Sequence, residues 1–295
     1  ALLGWTIFRT SDGNRRLWFF MGLWALIFLQ QGPIYSPLVL AAILVALARR
    51  RPLWVGLPLV FIAGYYASMS RFTWMFAPAM WAVMTAVHDH PPESLRGNIK
   101  NWVFVFAYGL AGLLGGVGIS GWKQLRKFFT PAPSISTPSP SPMEPTVLAT
   151  EVSQAASNTG IAAAITDQPL LWSRLFPSST NPEGIILGLL LAVGPLILFL
   201  LYLIISKRWK LNRWQKAGIW LPVVLFLLVG LVISVKIGGG DNLHNLDMFL
   251  ISLIFVTGLA WDGAGKGVVM NLSGEPLWLR ISIFLAVAIP AFYPV

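Results

Sequence analysis

Residues 185–205 read "IILGLLLAVGPLILFLLYLII", an apolar run without a single charged side chain. About 20 such residues, wound as a helix, match the ~30 Å hydrocarbon core of a bilayer. Lipid offers the backbone no hydrogen bonds, so a spanning segment must be a helix or part of a closed barrel. A second run, "AGIWLPVVLFLLVGLVISV" at 217–235, repeats the pattern. The same reading finds nine candidate spans: 16–32, 34–49, 52–69, 72–88, 101–121, 184–206, 217–235, 246–262 and 276–293. The expected fold class is therefore an all-α polytopic membrane protein of about nine transmembrane helices. The segment at 101–121 contains "YGLAGLLGGVGISG", and two readings stay open for it. Its small residues suit close helix packing, or the segment is broken and re-entrant.

Composition agrees with the bilayer as solvent. The chain is 56% hydrophobic and 11% charged, against ~25% charged for soluble domains. Its 14 Trp and 18 Phe cluster near the ends of apolar runs, as interfacial belts require. The absence of Cys excludes disulfides, thiolate metal sites and thiol nucleophiles. No cofactor is predicted, and a divalent metal is left open.

The net charge of +10 sits in short clusters between apolar runs. That distribution fits the positive-inside rule and gives no reason to expect nucleic acid. With Arg15 and Arg16 in the cytoplasm, 15 of the 21 Lys and Arg fall inside. They include Arg49 to Arg51 and "KRWKLNRWQK" at 207–216. The expected location is a bacterial inner (plasma) membrane, with membrane lipids as partners. The chain opens with "ALLGWTIF", which reads like a helix already under way, so further residues are expected before Ala1.

Between the fifth and sixth segments runs "TPAPSISTPSPSPMEPTVLATEVSQAASNTG". It is too poor in apolar side chains to offset its ordering entropy, and reads as an extracytoplasmic linker. The expected organisation is a first membrane block at 1–129 and a Pro/Ser/Thr-rich linker at 130–182. A second membrane block follows at 183–295. Residues 161–182 could form a short amphipathic piece on the membrane surface.

The stretch "KIGGGDNLHNLD", 236–247, separates two apolar runs on the predicted outer face. Lys236 ends one helix. Gly238, Gly239 and Gly240 permit close approach of a ligand to the backbone. Asp241, Asn242 or Asn245 could cap the next helix, whose free N–H groups favour anions. His244 and Asp247 share a helical face if that helix starts by Asn242. A plain reading exists: Lys236 snorkels, the glycines turn, and Asp and Asn cap. The density of polar side chains exceeds what a turn needs, and polar groups entering a membrane segment are often functional. Arg71, at another outer edge, would either bind a lipid phosphate or anchor the interface.

The stretch resembles the late-chain motif of polytopic glycosyltransferases of the C superfamily, with Lys236, Gly238, Asn242 or Asn245, and His244 in the matching places. The "YYASMSRFTWMFAPAMWA" stretch at 65–82 also resembles their mid-chain helices. The resemblance implies a polyprenyl-phosphate sugar donor bound on the extracytoplasmic face. It also implies a catalytic Asp or Glu in the first outer loop, but "QQGPIYSP" at 30–37 has none. The chain then reads as the C-terminal portion of a longer enzyme, or as a non-catalytic subunit with partner subunits. A transporter for a lipid-linked substrate ranks below both, because the cores of segments 184–206 and 217–235 carry no charge. Two further motifs are read plainly. "HDHPPE" at 88–93 lacks a helical metal-binding face, and "DGAGKG" at 262–267 is expected to be a turn.

Overall fold

The computed structural model describes residues 1–9, 15–32, 35–92, 99–118, 170–177, 184–237, 243 and 245–292. All regular structure among them is helical. A short α1 (Leu2–Ile7) precedes α2 (Arg15–Leu29), α3 (Ser36–Ala48), α4 (Leu53–Ser70), α5 (Ala77–Asp89) and α6 (Ile99–Val117). After them come α7 (Gly184–Ile205), α8 (Arg213–Ile237) and α9 (Asp247–Ala260). A π-turn (Trp261–Gly265) leads into α10 (Lys266–Met270), and α11 (Leu277–Phe292) closes the described chain. Each apolar segment found in the sequence coincides with a helix. Five helical stretches are long and apolar enough to cross a membrane: α4, α6, α7, most of α8, and the continuous run from Asp247 to Met270.

Why these helices hold is legible locally. Pro37 and Pro78 sit in the first turns of α3 and α5, where proline's missing N–H costs nothing. At the start of α8, Asn212 and Gln215 form a reciprocal capping box. The Gln215 amide donates to Asn212 Oδ1 at 2.8 Å, and the Asn212 amide donates to Gln215 Oε1 at 3.0 Å. Internal prolines, Pro58, Pro195, Pro222 and Pro290, are tolerated, as in membrane helices generally.

The glycine-rich segment is a continuous helix, α6, packed against α4 and α5. The backbones meet so closely that a Cβ at Gly115 would collide with the Phe61 carbonyl, and one at Gly116 with that of Met75. Small residues are what allow this approach, and the re-entrant reading is set aside for residues 99–117.

Most helices bury one stripe and leave Phe, Leu and Trp side chains on the perimeter, among them Trp54, Phe106, Ile205 and Phe284. In a soluble protein so large an apolar surface would be a liability; against acyl chains it is the matched surface. One helix is the exception: every residue of α9 from Asp247 to Ala260 is buried. It runs through the centre of the bundle. Its Ser252 accepts a hydrogen bond from Trp81 Nε1 at 2.8 Å, and Phe255 stacks on the Trp81 ring at 5.6 Å. The blocks on either side of the linker therefore share a core. Trp24 Nε1 donating to the Ala286 carbonyl at 3.0 Å ties α2 to α11 in the same way.

Residues 130–169 of the expected linker lie outside the described residues. Of the 161–182 piece, Trp172–Leu175 form one 3₁₀ turn. The amide of Leu171 donates to the Val235 carbonyl of α8 at 3.3 Å. The "DGAGKG" stretch is not a loop turn: it belongs to the π-helical segment and the first residues of α10, so the helix continues through all three glycines. Neighbouring backbone on the ladder outweighs the low helix propensity of Gly when the segment is flanked by apolar residues.

Candidate functional site

Helices α3, α5 and α9 run between two ends of the bundle. Tyr35, Trp74 and Asp247 lie at one end, and Arg49, Asp89 and Asp262 at the other. A 13-residue helix separates them by ~20 Å.

At the first end, Asp247 opens α9. It is buried, and its Oδ2 accepts a hydrogen bond from Trp74 Nε1 at 3.0 Å. Its Oδ1 accepts from the Met248 amide at 2.8 Å. Position in the first turn suits a carboxylate, because the helix N-terminus carries positive partial charge. Trp74 in turn lies 5.1 Å from the Tyr35 ring, and the Arg71 guanidinium sits 5.6 Å from each ring centroid. Such distances are cation–π contacts. Arg71 and Asp247, 176 positions apart, are thus joined through one indole.

The loop between α2 and α3 lies against the same place. A Cβ added to Gly32 would lie 3.4 Å from the Leu243 carbonyl and 2.9 Å from Leu250. Beside it Gln31 is fully buried. Its Nε2 donates to the Ala192 carbonyl at 3.0 Å, while its Oε1 has no hydrogen-bond partner among the described residues. A cavity of about 10 Å³, lined by Tyr35, Asp247 and five aliphatic residues of α2, α3 and α9, closes the floor. That is room for a single water, not a sugar.

Several expectations for "KIGGGDNLHNLD" are corrected. The next helix starts at Asp247, with Leu246 before it and no side-chain cap. Asn245 is not the cap; it is buried, and its Nδ2 donates to Ser234 Oγ of α8 at 3.3 Å. The helix that would have put His244 and Asp247 on one face, begun by Asn242, is not the one present, since α9 begins at Asp247. The physical reason is apolar: Leu243 and Leu246 are both buried, Leu246 against Gly230 of α8. They draw the loop inward and delay the helix. Lys236 lies in the last turn of α8. Gly238, Gly239, Gly240, Asp241, Asn242 and His244 lie outside the described residues. Tyr35, Trp74, Gln31 and Ser234 were not singled out in the sequence. The usable signal was Trp74 three residues after Arg71.

The other end holds an ion network. Arg49 Nε and Nη2 donate to Asp89 Oδ2 and Oδ1, both at 2.8 Å, and Nη1 lies 2.9 Å from Asp262 Oδ2. Arg50 approaches the same carboxylates at 3.8 and 3.2 Å. His88 Nδ1 lies 3.0 Å from Asp89 Oδ1. The "HDHPPE" motif thus supplies an ion-pair partner. His90 stacks on Phe104 at 4.2 Å, and Glu93 lies outside the described residues. Among the described residues no three His, Asp or Glu side chains gather as a metal site. On the same side Glu275, buried between α10 and α11, accepts hydrogen bonds from Tyr202 (2.6 Å) and Arg208. The Tyr202 hydroxyl, with Arg208, holds its carboxyl below the usual glutamate range.

Compared with protein-family models, with curated proteins and with solved structures, the chain finds no match.

Proposed function

We propose that this is an integral membrane protein of about nine crossings that binds a polyprenyl-phosphate sugar at its Asp247 end, as the donor-binding part of a membrane glycosyltransferase. The charge bias puts that end outside the cytoplasm. The observation that carries the reading is the convergence at this end. Arg71, Trp74, Tyr35, the half-satisfied Gln31 and Asp247 gather where α9 begins, next in sequence to the stretch that bears Lys236 and His244. Arg71 and Lys236 would meet the phosphate. Gly238, Gly239 and Gly240 would admit it to the backbone, and Asp241, Asn242 and His244 would meet sugar hydroxyls. Asp247 would position this shell rather than act as a base, since both of its oxygens accept hydrogen bonds within the fold.

The test is single substitution of Arg71, Lys236, Asn242 and His244 by Ala. Binding of a polyprenyl-phosphate sugar in detergent would be read beside the melting temperature. Loss of a charged phosphate contact should weaken binding by about tenfold or more with melting unchanged. Unchanged binding in all four, or none in the parent, rejects the reading. A second reading, a non-catalytic subunit of a larger membrane complex, draws on the burial of Asn245 and Asp247. On that account these side chains serve packing alone.

A further inference from the structure

A cavity of about 550 Å³ opens at the Arg49 end between α1, α3 and α9. Four guanidinium-bearing residues line it: Arg9, Arg49, Arg50 and Arg51. Among the described residues no Asp or Glu does. Asp89 and Asp262 stand behind its wall, bound to Arg49 and Arg50, with His88 on the far side of Asp89. Those two arginines and two aspartates cancel. Arg9 and Arg51 are exposed and make no ion pair among the described residues, so the cavity keeps an excess of positive charge.

Apart from Thr6 and Thr85, the rest of the wall is mostly apolar. Leu2 and Leu47 line the cavity and also reach the outer surface, and Leu259 and Phe255 close it from α9. One side of the space therefore suits an anion and the other a hydrocarbon chain. The positive-inside rule asks only for basic residues in a loop; it does not ask that they converge on a cavity.

The backbone gives an independent pointer. Ala48 to Arg51 form a type II turn: Arg49 has φ −57° and ψ 133°, Arg50 has φ +59°, and the Arg51 amide donates to the Ala48 carbonyl at 3.1 Å. The third position of that turn favours glycine. An arginine held there, 58% exposed at its side chain, indicates that the guanidinium is worth the strain.

We propose that this cavity binds the phosphate headgroup of an anionic glycerophospholipid from the leaflet at the Arg49 end. Arg9, Arg50 and Arg51 face the phosphate, Arg49 is fixed by its aspartates as the back wall, and the acyl chains leave along Leu2 and Leu47. Arginine's planar fork suits phosphate oxygens, and anionic lipids are drawn to such clusters. The site lies a helix length from Asp247 and does not rest on the donor reading.

The test uses the full chain, delipidated in neutral detergent. Phosphatidylglycerol, phosphatidylcholine and glycerol 3-phosphate are titrated in, with retention read by native mass spectrometry and folding by thermal melting. The parent should retain phosphatidylglycerol over phosphatidylcholine by about tenfold or more. Arg9→Ala/Arg51→Ala should abolish the preference without moving the lipid-free melting temperature. Arg50→Gly should weaken it although glycine fits the turn better. Equal retention of both lipids by the parent, or a preference that survives in the double variant, overturns the site. Displacement of phosphatidylglycerol by glycerol 3-phosphate at similar concentration overturns its assignment to a lipid.

Discussion

At the Asp247 end one carboxylate is buried beneath an indole N–H and a backbone amide; at the Arg49 end two largely buried carboxylates are paired with the largely buried guanidinium of Arg49 and the exposed one of Arg50. The first arrangement uses neutral donors and the field of a helix start. Its parts are nearly independent: loss of the indole leaves the amide in place. The second is a closed set of full charges drawn from three places in the chain, α3, α5 and the π-turn. Removal of one member leaves its partners charged and unsolvated. Burying charge with charge makes a site rigid and strongly coupled. Burying it with dipoles leaves it adjustable, as suits an end where a ligand is recognised.

The difference can be broken at the coupled end first. Arg49→Ala removes the main partner of Asp89 and Asp262, each with little access to solvent, and leaves them only the exposed Arg50 and, for Asp89, His88. It should cost about 3 kcal/mol or more in unfolding free energy, and adding Asp89→Asn and Asp262→Asn should restore most of it. A smaller effect is expected at the other end. Trp74→Phe keeps the ring but removes the donor to Asp247, and should cost about 1.5 kcal/mol in the same denaturation assay. Equal losses from the two substitutions would erase the contrast. The smallest effect concerns Glu275, on the Arg49 side. Its folded carboxyl titrates below the usual glutamate value, so its contribution is present at neutral pH and disappears as pH falls through that lowered value. Melting temperature should therefore drop on acidification below the ordinary glutamate range, and Glu275→Gln should flatten part of that slope. A slope identical to the parent's would remove Glu275 from the ionic end.

The apolar runs were plain in the sequence because 20 charge-free residues admit few alternatives. Which helix would be central was not. Segment 246–262 looks like its neighbours in hydropathy, and only Ser252, Thr257 and the leading Asp247 hint that all its faces meet protein. The Arg49 network was invisible for a different reason. Arg49 to Arg51 satisfied the charge-bias argument, and "HDHPPE" resembled a loop, so nothing called for their pairing across 40 and 213 positions. The Asp247 end was half legible: Arg71 and Asp247 were both marked by chemistry, yet Trp74, which joins them, was indistinguishable from a belt tryptophan. The late start of α9 is not legible in its capping residues; it follows from the burial of Leu243 and Leu246.

The π-turn at Trp261–Gly265 has a consequence for how the central helix is read along its length. Five residues per bond ring instead of four insert a phase slip of roughly 100°. Residues on either side of it therefore belong to two angular frames. The α9 frame is committed on every side to the core. The α10 frame, beginning at Lys266, is free of that commitment and buries only Val268. Between the two frames, Asp262 faces Arg49 and Arg50. A helix with unbroken periodicity would have had to satisfy the core and the ionic end with a single phase.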